Sequence, residues 1–376
     1  MRTRIIHLTT LGFLLLVTPG CAYNGWAYCK SFGYPGLFSC IKPPPADSTT
    51  LLGFGEVVPY PADNKPTKEK EELGKKLFFD PLLSSNSKIS CASCHDPYKG
   101  FADPNQFSKG VGGAVGDIHA PTLLNTAYNR HLFWNGRVGS LEEQALKPIE
   151  NGKEMGPQGN LDRVVKDLNK DTDYTARFNK AFGTGATPEG IAKAIATYER
   201  TLISRDTPFE RWVREEEPIS KAAQRGWKVF IGKGRCANCH VPPAYTDDNY
   251  HNIGVHPVPG EAMDKDLDGF LKGHRDYDKV YEPFRVDKCA FKTPTLLNIE
   301  QTAPYMHNGS ETFKTLEDVV SFYVRGGDPV DPAVCGQKDW RIVKLDLSPE
   351  EINDLIEFLK SLTGKVPLDS LPKQAP

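Results

Sequence analysis

The apolar positions of this chain recur at helical rather than strand spacing. One stripe consists of Ile191, Ile195, Tyr198 and Leu202. These positions are three or four residues apart, as on one face of a helix. Comparable segments cover residues 67–80, 220–232 and 348–364. No alternating apolar and polar run reaches a convincing strand length. The pattern therefore predicts a mainly α protein with long loops.

The ends of these segments carry residues that favour helix starts and stops. Thr187 can cap a helix, and Pro188 suits its first turn. Ser348 and Glu351 have the spacing of a capping box, and Gly364 is a typical stop. The last helix is therefore expected to begin after Ser348 and to end near Gly364.

The chain repeats one order of features on either side of residues 205–220. The first half contains “LGKKLF”, “CASCH”, “APTLLN” and “FWNGRVGSLEEQA”, and the second contains “RGWKVF”, “CANCH”, “TPTLLN” and “YMHNGSETFKTLEDVV”. A repeat of this kind indicates that each half is one structural unit. We expect tandem domains over residues 67–212 and 213–364, followed by a tail over residues 365–376.

The motif CxxCH occurs once in each half, at residues 91–95 and 236–240. In a covalent haem c site the two cysteines form thioethers and the histidine binds the iron. The predicted attachment residues are Cys91, Cys94, Cys236 and Cys239, and the predicted iron ligands are His95 and His240. A lone CxxC pair can also be redox-active or bind zinc. Two copies followed by histidine favour two cytochrome c-type domains, each with one covalent haem.

The N-terminus has the pattern of an export signal over residues 1–20, in which Arg2 and Arg4 precede a short apolar core. The junction at Cys21 resembles a lipoprotein cleavage site, and simple cleavage near Cys21 is the alternative. Residues 21–66 are predicted to be a Pro-rich tether. No later stretch has the roughly 20 apolar residues of a membrane span. We expect a periplasmic protein that contacts a membrane only through a lipid on Cys21.

The chain contains nine cysteines, of which four belong to the haem motifs. If Cys21 is lipidated, four others can form two disulfides in an oxidising periplasm. Pairing Cys29 with Cys40 and Cys289 with Cys335 is least demanding, because each bond closes a local loop. The sequence leaves the other pairings open.

The composition argues against a nucleic-acid-binding protein and against a disordered one. The formal net charge of the 376 residues is only −2, and no basic run is present, so a nucleic-acid partner is not expected. Thirty prolines and 33 glycines suit a loop-rich protein around cofactors. An apolar content of 39 % argues against low-complexity disorder in the main body.

Over residues 67–364 the chain resembles the bacterial di-haem cytochrome c peroxidase and MauG family. The resemblance rests on “CASCHDP”, “FWNGR…LEEQALKPI…KEMG”, “CANCH”, “FKTPTLLNIEQTAPYMHNG” and “TLEDVV”, which follow the family order. It implies that the N-terminal haem is the reactive one and the C-terminal haem transfers electrons. Within this family the chain is closer to the MauG-like branch, because it has a tyrosine at position 323.

The resemblance also implies roles for four residues around the reactive haem: Trp134, Gln144, Pro148 and Glu154. Trp134 would lie between the haems, and the other three in the distal pocket. Glu154 would be the acid/base residue, because a carboxylate in a dry pocket can take a proton from one peroxide oxygen and deliver it to the other. The alternatives are a solvated surface charge for Glu154 and a core position for Trp134.

The loop after the first motif contains one histidine, His119. Many cytochrome c peroxidases use a histidine on this loop to close the reactive haem at rest. By register, however, His119 falls where the family has an Asn that helps to bind calcium between the haems, and Thr302 and Pro304 are the other matching positions. We expect His119 not to close the haem, and its imidazole weakens the case for calcium. A swing of His119 onto the iron is the alternative.

Tyr323 lies where cytochrome c peroxidases have a methionine ligand and the MauG branch has a tyrosine. A phenolate is hard and anionic, so it stabilises iron of higher charge than a thioether does. The second haem is therefore expected to share the oxidising equivalents of peroxide. In the alternative, Tyr323 packs in its helix and Met306 or His307 reaches the iron.

Three functions are compatible with these residues. The first is reduction of hydrogen peroxide with electrons from a small redox protein, and the second is peroxide-driven oxidation of a partner protein. The third is a di-haem electron carrier without chemistry of its own. Glu154 and the open first haem argue against the carrier, and Tyr323 favours oxidation of a partner protein.

Overall fold

The computed structural model describes residues 57–255, 289–368 and 371, and the strand backbone of residues 28–31 and 38–41. The helices of these residues are α1 (Lys68–Phe79), α2 (Leu141–Leu146), α3 (Asn160–Lys170), α4 (Thr172–Phe182), α5 (Pro188–Glu199), α6 (Pro208–Val213), α7 (Lys221–Ile231), α8 (Leu316–Val324), α9 (Pro332–Cys335) and α10 (Pro349–Lys360). The strands are β1 (Tyr28–Ser31), β2 (Phe38–Ile41), β3 (Tyr250–His251) and β4 (Phe291–Lys292). The mainly helical class is confirmed, and the strands are short.

The predicted caps begin the helices as expected. Thr187 Oγ1 accepts the amide of Gly190 at 3.0 Å, and Pro188 occupies the first turn of α5. Ser348 Oγ accepts the amide of Glu351 at 3.2 Å, while the Glu351 carboxylate accepts the amide of Ser348 at 2.9 Å. This reciprocal pair is the predicted capping box. α10 ends at Lys360, slightly before the predicted stop at Gly364.

The repeated glycines allow two helix pairs to cross closely. A Cβ atom on Gly74 of α1 would lie 1.9 Å from Ala194 O of α5. A Cβ atom on Gly226 of α7 would likewise lie 1.9 Å from Asp354 O of α10. Only glycine allows such an approach. The helix before each CxxCH motif is therefore fixed against a later helix of the same half in the same way.

The side chains at these crossings form the core. In the first half, Phe78, Tyr198 and Phe101 are buried together, with ring centroids of Phe78 and Tyr198 5.3 Å apart. In the second half, Phe358 of α10 packs on Phe230 of α7 with centroids 4.9 Å apart. Burial of each such ring contributes about 1.5–3 kcal/mol.

The predicted boundary near residue 212 falls inside α6. Phe209 of α6 packs on Phe358 and Trp227 with centroid distances of 5.1 and 5.0 Å. The start of this linker helix therefore belongs to the core of the second half. The division into domains 67–212 and 213–364 remains a prediction.

The structure separates into residues 1–43 and residues 44–376. In the first unit, β1 and β2 pair antiparallel and place the backbone of Cys29 opposite that of Cys40. The predicted export signal, the predicted lipid attachment at Cys21 and most of the predicted tether lie outside the described residues, as does part of the tail. Cys289 and Cys335 form a disulfide with Cα atoms 5.0 Å apart, which confirms that predicted pairing. Among the described residues, no helix has the length and apolarity needed to cross a membrane.

Candidate active site

The two CxxCH motifs form the same backbone turn. In each, the amides of the fourth and fifth residues donate to the carbonyl of the first, at 3.2 and 3.0 Å in residues 91–95 and at 3.2 and 2.9 Å in residues 236–240. This short 3-10 turn gathers two thiols and one imidazole. All four motif cysteines are outside disulfides, so their thiols are available for thioether bonds.

Backbone carbonyls orient the histidine of each motif. His95 Nδ1 lies 3.1 Å from both Phe101 O and Pro121 O. His240 Nδ1 lies 3.0 Å from Tyr245 O. Because a carbonyl can only accept, Nδ1 carries the proton and Nε2 keeps its lone pair. This is the tautomer that an iron ligand requires.

The repeated Pro-Thr-Leu-Leu-Asn segment holds the loop beside each histidine. Thr122 Oγ1 donates to Gly100 O at 2.5 Å and accepts the amide of Leu124 at 3.0 Å. In the second copy, Thr295 Oγ1 donates to Ala244 O at 2.7 Å. Each threonine ties its segment to the loop after the CxxCH turn. In the first half this fixes the proline carbonyl that receives the histidine proton.

The asparagines that end the two segments both form hydrogen bonds with Ser204. Asn125 and Asn298 both have left-handed backbones, with φ of 63° and 60°, which asparagine tolerates better than most residues. Ser204 donates its amide to Asn125 Oδ1 at 3.0 Å and its hydroxyl to Asn298 Oδ1 at 3.1 Å. Ser204 therefore joins equivalent positions of the two halves.

Each motif opens into a cavity. The first cavity includes Cys94, His95, Trp134, Gln144, Pro148 and Glu154 in its lining. The second cavity includes Cys236, Cys239, His240, Met306, His307 and Tyr323. Cys91 is not on the first lining and packs against the core instead. The structure thus groups the predicted residues of each haem around one space.

A haem fits the chemistry of both cavities. The first and second cavities contain about 1890 and 1640 Å³ of space, open solvent included. Each offers free thiols and an imidazole with Nε2 available. When bound, the haem irons would supply the redox chemistry.

Glu154 is half-buried in the first cavity. Burial raises the pKa of its carboxyl group, opposed by the hydrogen bond from Asn151 and by the charge of Arg137. Asn151 Nδ2 donates to Glu154 Oε1 at 2.5 Å and holds the side chain in place. A carboxyl group with a raised pKa and a fixed orientation suits proton transfer. The role of Glu154 as the acid/base residue remains a prediction.

Trp134 lines both cavities. Its indole Nε1 donates to His119 O at 2.9 Å, and its backbone carbonyl accepts the amide of Lys292 in β4 at 2.8 Å. Its ring makes an edge contact with Phe291 at 6.5 Å between centroids. Hydrogen bonds from both halves therefore fix the tryptophan between the two sites.

Tyr323 of α8 lines the second cavity together with both attachment cysteines. Burial raises the pKa of its phenol, and the nearby Cys239 and Cys236 act in the same direction. Met306 and His307 share this cavity, so all three candidate ligands remain near His240. The ring of His307 is stacked on Phe291 at 3.6 Å between centroids.

Calcium does not fit the position of His119 as the structure has it. His119 Nδ1 lies 3.1 Å from Asn105 O and 3.2 Å from Gln106 O, so it donates a hydrogen bond to these carbonyls. Calcium prefers oxygen ligands, and an imidazole N–H supplies none. Thr302 Oγ1 is directed at Ile299 O, at 3.3 Å. The side chain of His119 therefore supplies no oxygen ligand at this position.

One charged cluster beside the second cavity was missed by sequence reasoning. His251 contacts Asp339 Oδ2 through Nδ1 at 2.8 Å and Asp247 Oδ2 through Nε2 at 3.1 Å. Burial opposes its charge, but these two hydrogen bonds, together with the neighbouring Cys239, outweigh burial and raise the pKa of His251. Arg341 pairs with Asp339 at 2.6 Å. These four residues come from two segments that are far apart in the sequence, so the spacing of residues along the chain could not reveal the cluster.

Two buried ionisable residues were also missed. Lys292 is 8 % exposed and lines both cavities, and burial lowers its pKa. Its nearest acid is Asp248, at 3.9 Å. Glu199 is 3 % exposed at the end of α5, and burial raises the pKa of its carboxyl group to about 8. A charged residue inside an apolar stripe was the available signal for Glu199.

Comparison with known proteins agrees with this arrangement. A profile of the family described as di-haem cytochrome c peroxidase matches residues 68–218. The methylamine utilization protein MauG of Methylorubrum extorquens is 36% identical over 325 residues, covering 85% of each chain. The cytochrome-c peroxidase IdrP1 of Denitromonas iodatirespirans is 37% identical over 341 residues, covering 84% of this chain and 87% of its own.

A solved structure gives the same result. The crystal structure of a MauG-like protein associated with microbial copper homeostasis superposes with a TM-score of 0.69 at 31% identity, covering 81% of this chain and 92% of that one. The fold and cavities define a helical protein with two repeated haem-type sites. The chain belongs to the di-haem cytochrome c peroxidase and MauG family, whose members are haem oxidoreductases.

Proposed function

We propose that this chain is a periplasmic di-haem peroxidase that uses hydrogen peroxide at its N-terminal haem. The supporting observation is Glu154, a carboxyl group with a raised pKa in the same cavity as His95. The two haems are attached through the motif cysteines and held by His95 and His240. Reduction of one peroxide to two waters consumes two electrons and two protons. The electrons come from a protein.

Glu154 transfers the protons. Its Oε1 is fixed by Asn151, so the carboxyl group has one orientation toward the cavity. Gln144 and Pro148 line the same space and restrict what can approach the iron. His119 would not hold the iron of the first haem, because its imidazole donates to Asn105 O and Gln106 O.

Trp134 would connect the two sites for electron transfer once both haems are bound. Trp134 lines both cavities, and its two hydrogen bonds hold it at this position. Tyr323 and His240 would hold the iron of the second haem, and the phenolate of Tyr323 would stabilise an iron of higher charge. This property favours oxidation of a partner protein, as in the MauG-like branch, over simple turnover with a small redox protein. The relatives do not favour a non-catalytic electron carrier.

The export signal places the enzyme in the periplasm, and Cys21 anchors it by a lipid. Intact-mass measurement of membrane and soluble periplasmic fractions tests both statements. It should find two haem additions and a lipid on Cys21. A chain without haem would contradict the whole proposal, whereas a chain without lipid would contradict only the anchor.

Rapid mixing with peroxide tests the role of Glu154. In Glu154→Gln, both haems are retained, but the spectral change caused by peroxide slows roughly 10²–10⁴-fold, because a positioned acid/base is lost. Glu143→Gln is the matched control, since Glu143 is about half exposed and pairs only with Lys147. It should react at the parent rate. A parent-like rate in Glu154→Gln would show that Glu154 takes no part in the reaction with peroxide. If the parent protein itself does not react with peroxide, a non-catalytic electron carrier is favoured.

A further inference from the structure

His119 makes polar contacts through its side chain, its amide and its carbonyl, and each contact reaches a different segment. Its Nδ1 donates toward Asn105 O at 3.1 Å and Gln106 O at 3.2 Å. Its amide donates to His307 O at 2.8 Å, and its carbonyl accepts from Trp134 Nε1 at 2.9 Å. The residue is 3 % exposed and lines both cavities. We call this set of contacts the His119 clamp.

The loop that faces the imidazole is fixed by its own hydrogen bonds. Asp103 Oδ1 accepts the amide of Asn105 at 2.7 Å, and Asp103 Oδ2 accepts Ser108 Oγ at 2.6 Å. Gln106 Nε2 donates to Asn308 O at 3.0 Å, which ties the loop to the second half. The two carbonyls that receive the His119 proton are therefore held in place by other contacts.

The turn at Gly309 packs closely beside the Nδ1 atom of His119. A Cβ atom on Gly309 would lie 2.7 Å from Gln106 O and 3.1 Å from His119 Nδ1. The turn at Gly309 also has a left-handed φ of 49°, which suits glycine. The backbone of this turn therefore packs directly on the clamp and leaves no room for a hydrated cation beside Nδ1.

We propose that the His119 clamp replaces the calcium ion that the family resemblance implies between the haems. A calcium ion gathers carbonyl and side-chain oxygens from several segments. The imidazole N–H gathers two carbonyls instead, while the backbone of the same residue holds Trp134 and the turn at His307. The inference rests on the proposed function, because the clamp matters only if Trp134 connects two haem sites. It makes this enzyme independent of calcium, with His119 as a positioning residue for Trp134.

Metal analysis of the purified di-haem protein is the first test. After dialysis against CaCl2 and gel filtration, the parent should retain no stoichiometric calcium. Treatment with EGTA should leave its haem spectrum, melting temperature and peroxide reaction unchanged. One calcium per chain, or a loss of any of these properties in EGTA, would overturn the proposal. The metal content and the melting temperature do not depend on peroxidase activity, so a failure of the proposed function is distinguishable.

Two substitutions provide the second test. His119→Asn replaces the imidazole N–H with a shorter amide whose oxygen can bind calcium, and His119→Ala removes the donor and supplies nothing. In EGTA, both variants should transfer electrons between the sites about tenfold or more slowly, on the scale of a lost orienting contact. About 1 mM calcium, the affinity range of weak extracellular sites, should restore His119→Asn but not His119→Ala. Parent-like rates in His119→Ala, or equal responses of the two variants to calcium, would overturn the proposal. If neither variant folds, the parent metal analysis decides the question.

Discussion

Replacement of Gly226 by alanine tests whether the close crossing of α7 and α10 sets the second haem site. The added Cβ would lie 1.9 Å from Asp354 O and 2.8 Å from Phe358 Cβ. Real Cβ contacts essentially never fall under 3.0 Å, so the helices must separate by about 1.1 Å to reach even that limit. The obstacle is a backbone carbonyl, which cannot rotate aside as a flexible side chain can.

The expected loss of stability follows from two opposing effects. Overpacking of a core costs about 1–3 kcal/mol, and a clash with backbone belongs at the upper end. Alanine gains about 1 kcal/mol over glycine as a helix former, which offsets part of the cost. The net loss is therefore about 2 kcal/mol. Separation of the helices also strains the pair of Arg225 and Asp354, whose contacts are 2.6 and 2.7 Å.

Denaturant unfolding of the di-haem protein measures this loss, and the visible spectrum reports which haem is disturbed. Because α7 leads directly into the turn at residues 236–240, Gly226→Ala should alter the second haem, and Gly74→Ala the first. Gly139→Ala is the control, since its Cβ would meet nothing within 4 Å, and it should change stability by less than about 0.5 kcal/mol. If Gly226→Ala unfolds like the parent, the crossing is not as tight as its 1.9 Å approach indicates.

Two further predictions concern ionisable residues. Burial raises the pKa of Glu199 to about 8, so the folded state keeps its proton and loses stability as pH rises from about 4.5 to 8, by roughly 5 kcal/mol. Glu199→Gln should remove this loss in unfolding measured at pH 5 and pH 8.5, and parallel curves for parent and variant would contradict it. Tyr323→His should keep two haems by mass, because imidazole is a competent axial ligand, but should lose tyrosinate bands in resonance Raman spectra and any oxidation of a partner protein. Unchanged bands would show that Tyr323 only packs in α8.

Helices and haem motifs were predictable because their signals are local. The stripe from Ile191 to Leu202 and the capping box at Ser348 depend on residues within a few positions of one another, and the structure confirms both elements. The repeat of Gly74 and Gly226 was visible in the sequence. The structural reason for these two glycines was not visible, because it depends on the close approach of a helix more than 100 positions later in the sequence.

The parts that sequence could not supply are contacts between distant segments. The charged cluster joins His251 to Asp339 across 88 positions. The burial of Lys292 was also not predicted. This lysine lies inside the segment “FKTPTLLN”, in which only the part from the proline to the asparagine repeats in the first half. The short strands β3 and β4 were missed because two-residue strands have no periodicity.

Ser204 limits how far the two halves can be treated as modules. Its amide and its hydroxyl bind the equivalent asparagines of the two repeats, at 3.0 and 3.1 Å. A cut at the predicted boundary, beyond residue 204, would leave this serine on the first fragment, and Asn298 Oδ1 would keep only the amide of Gly364 as a donor. Engineering the halves as separate single-haem cytochromes would therefore require a substitute for a bond that both repeats share.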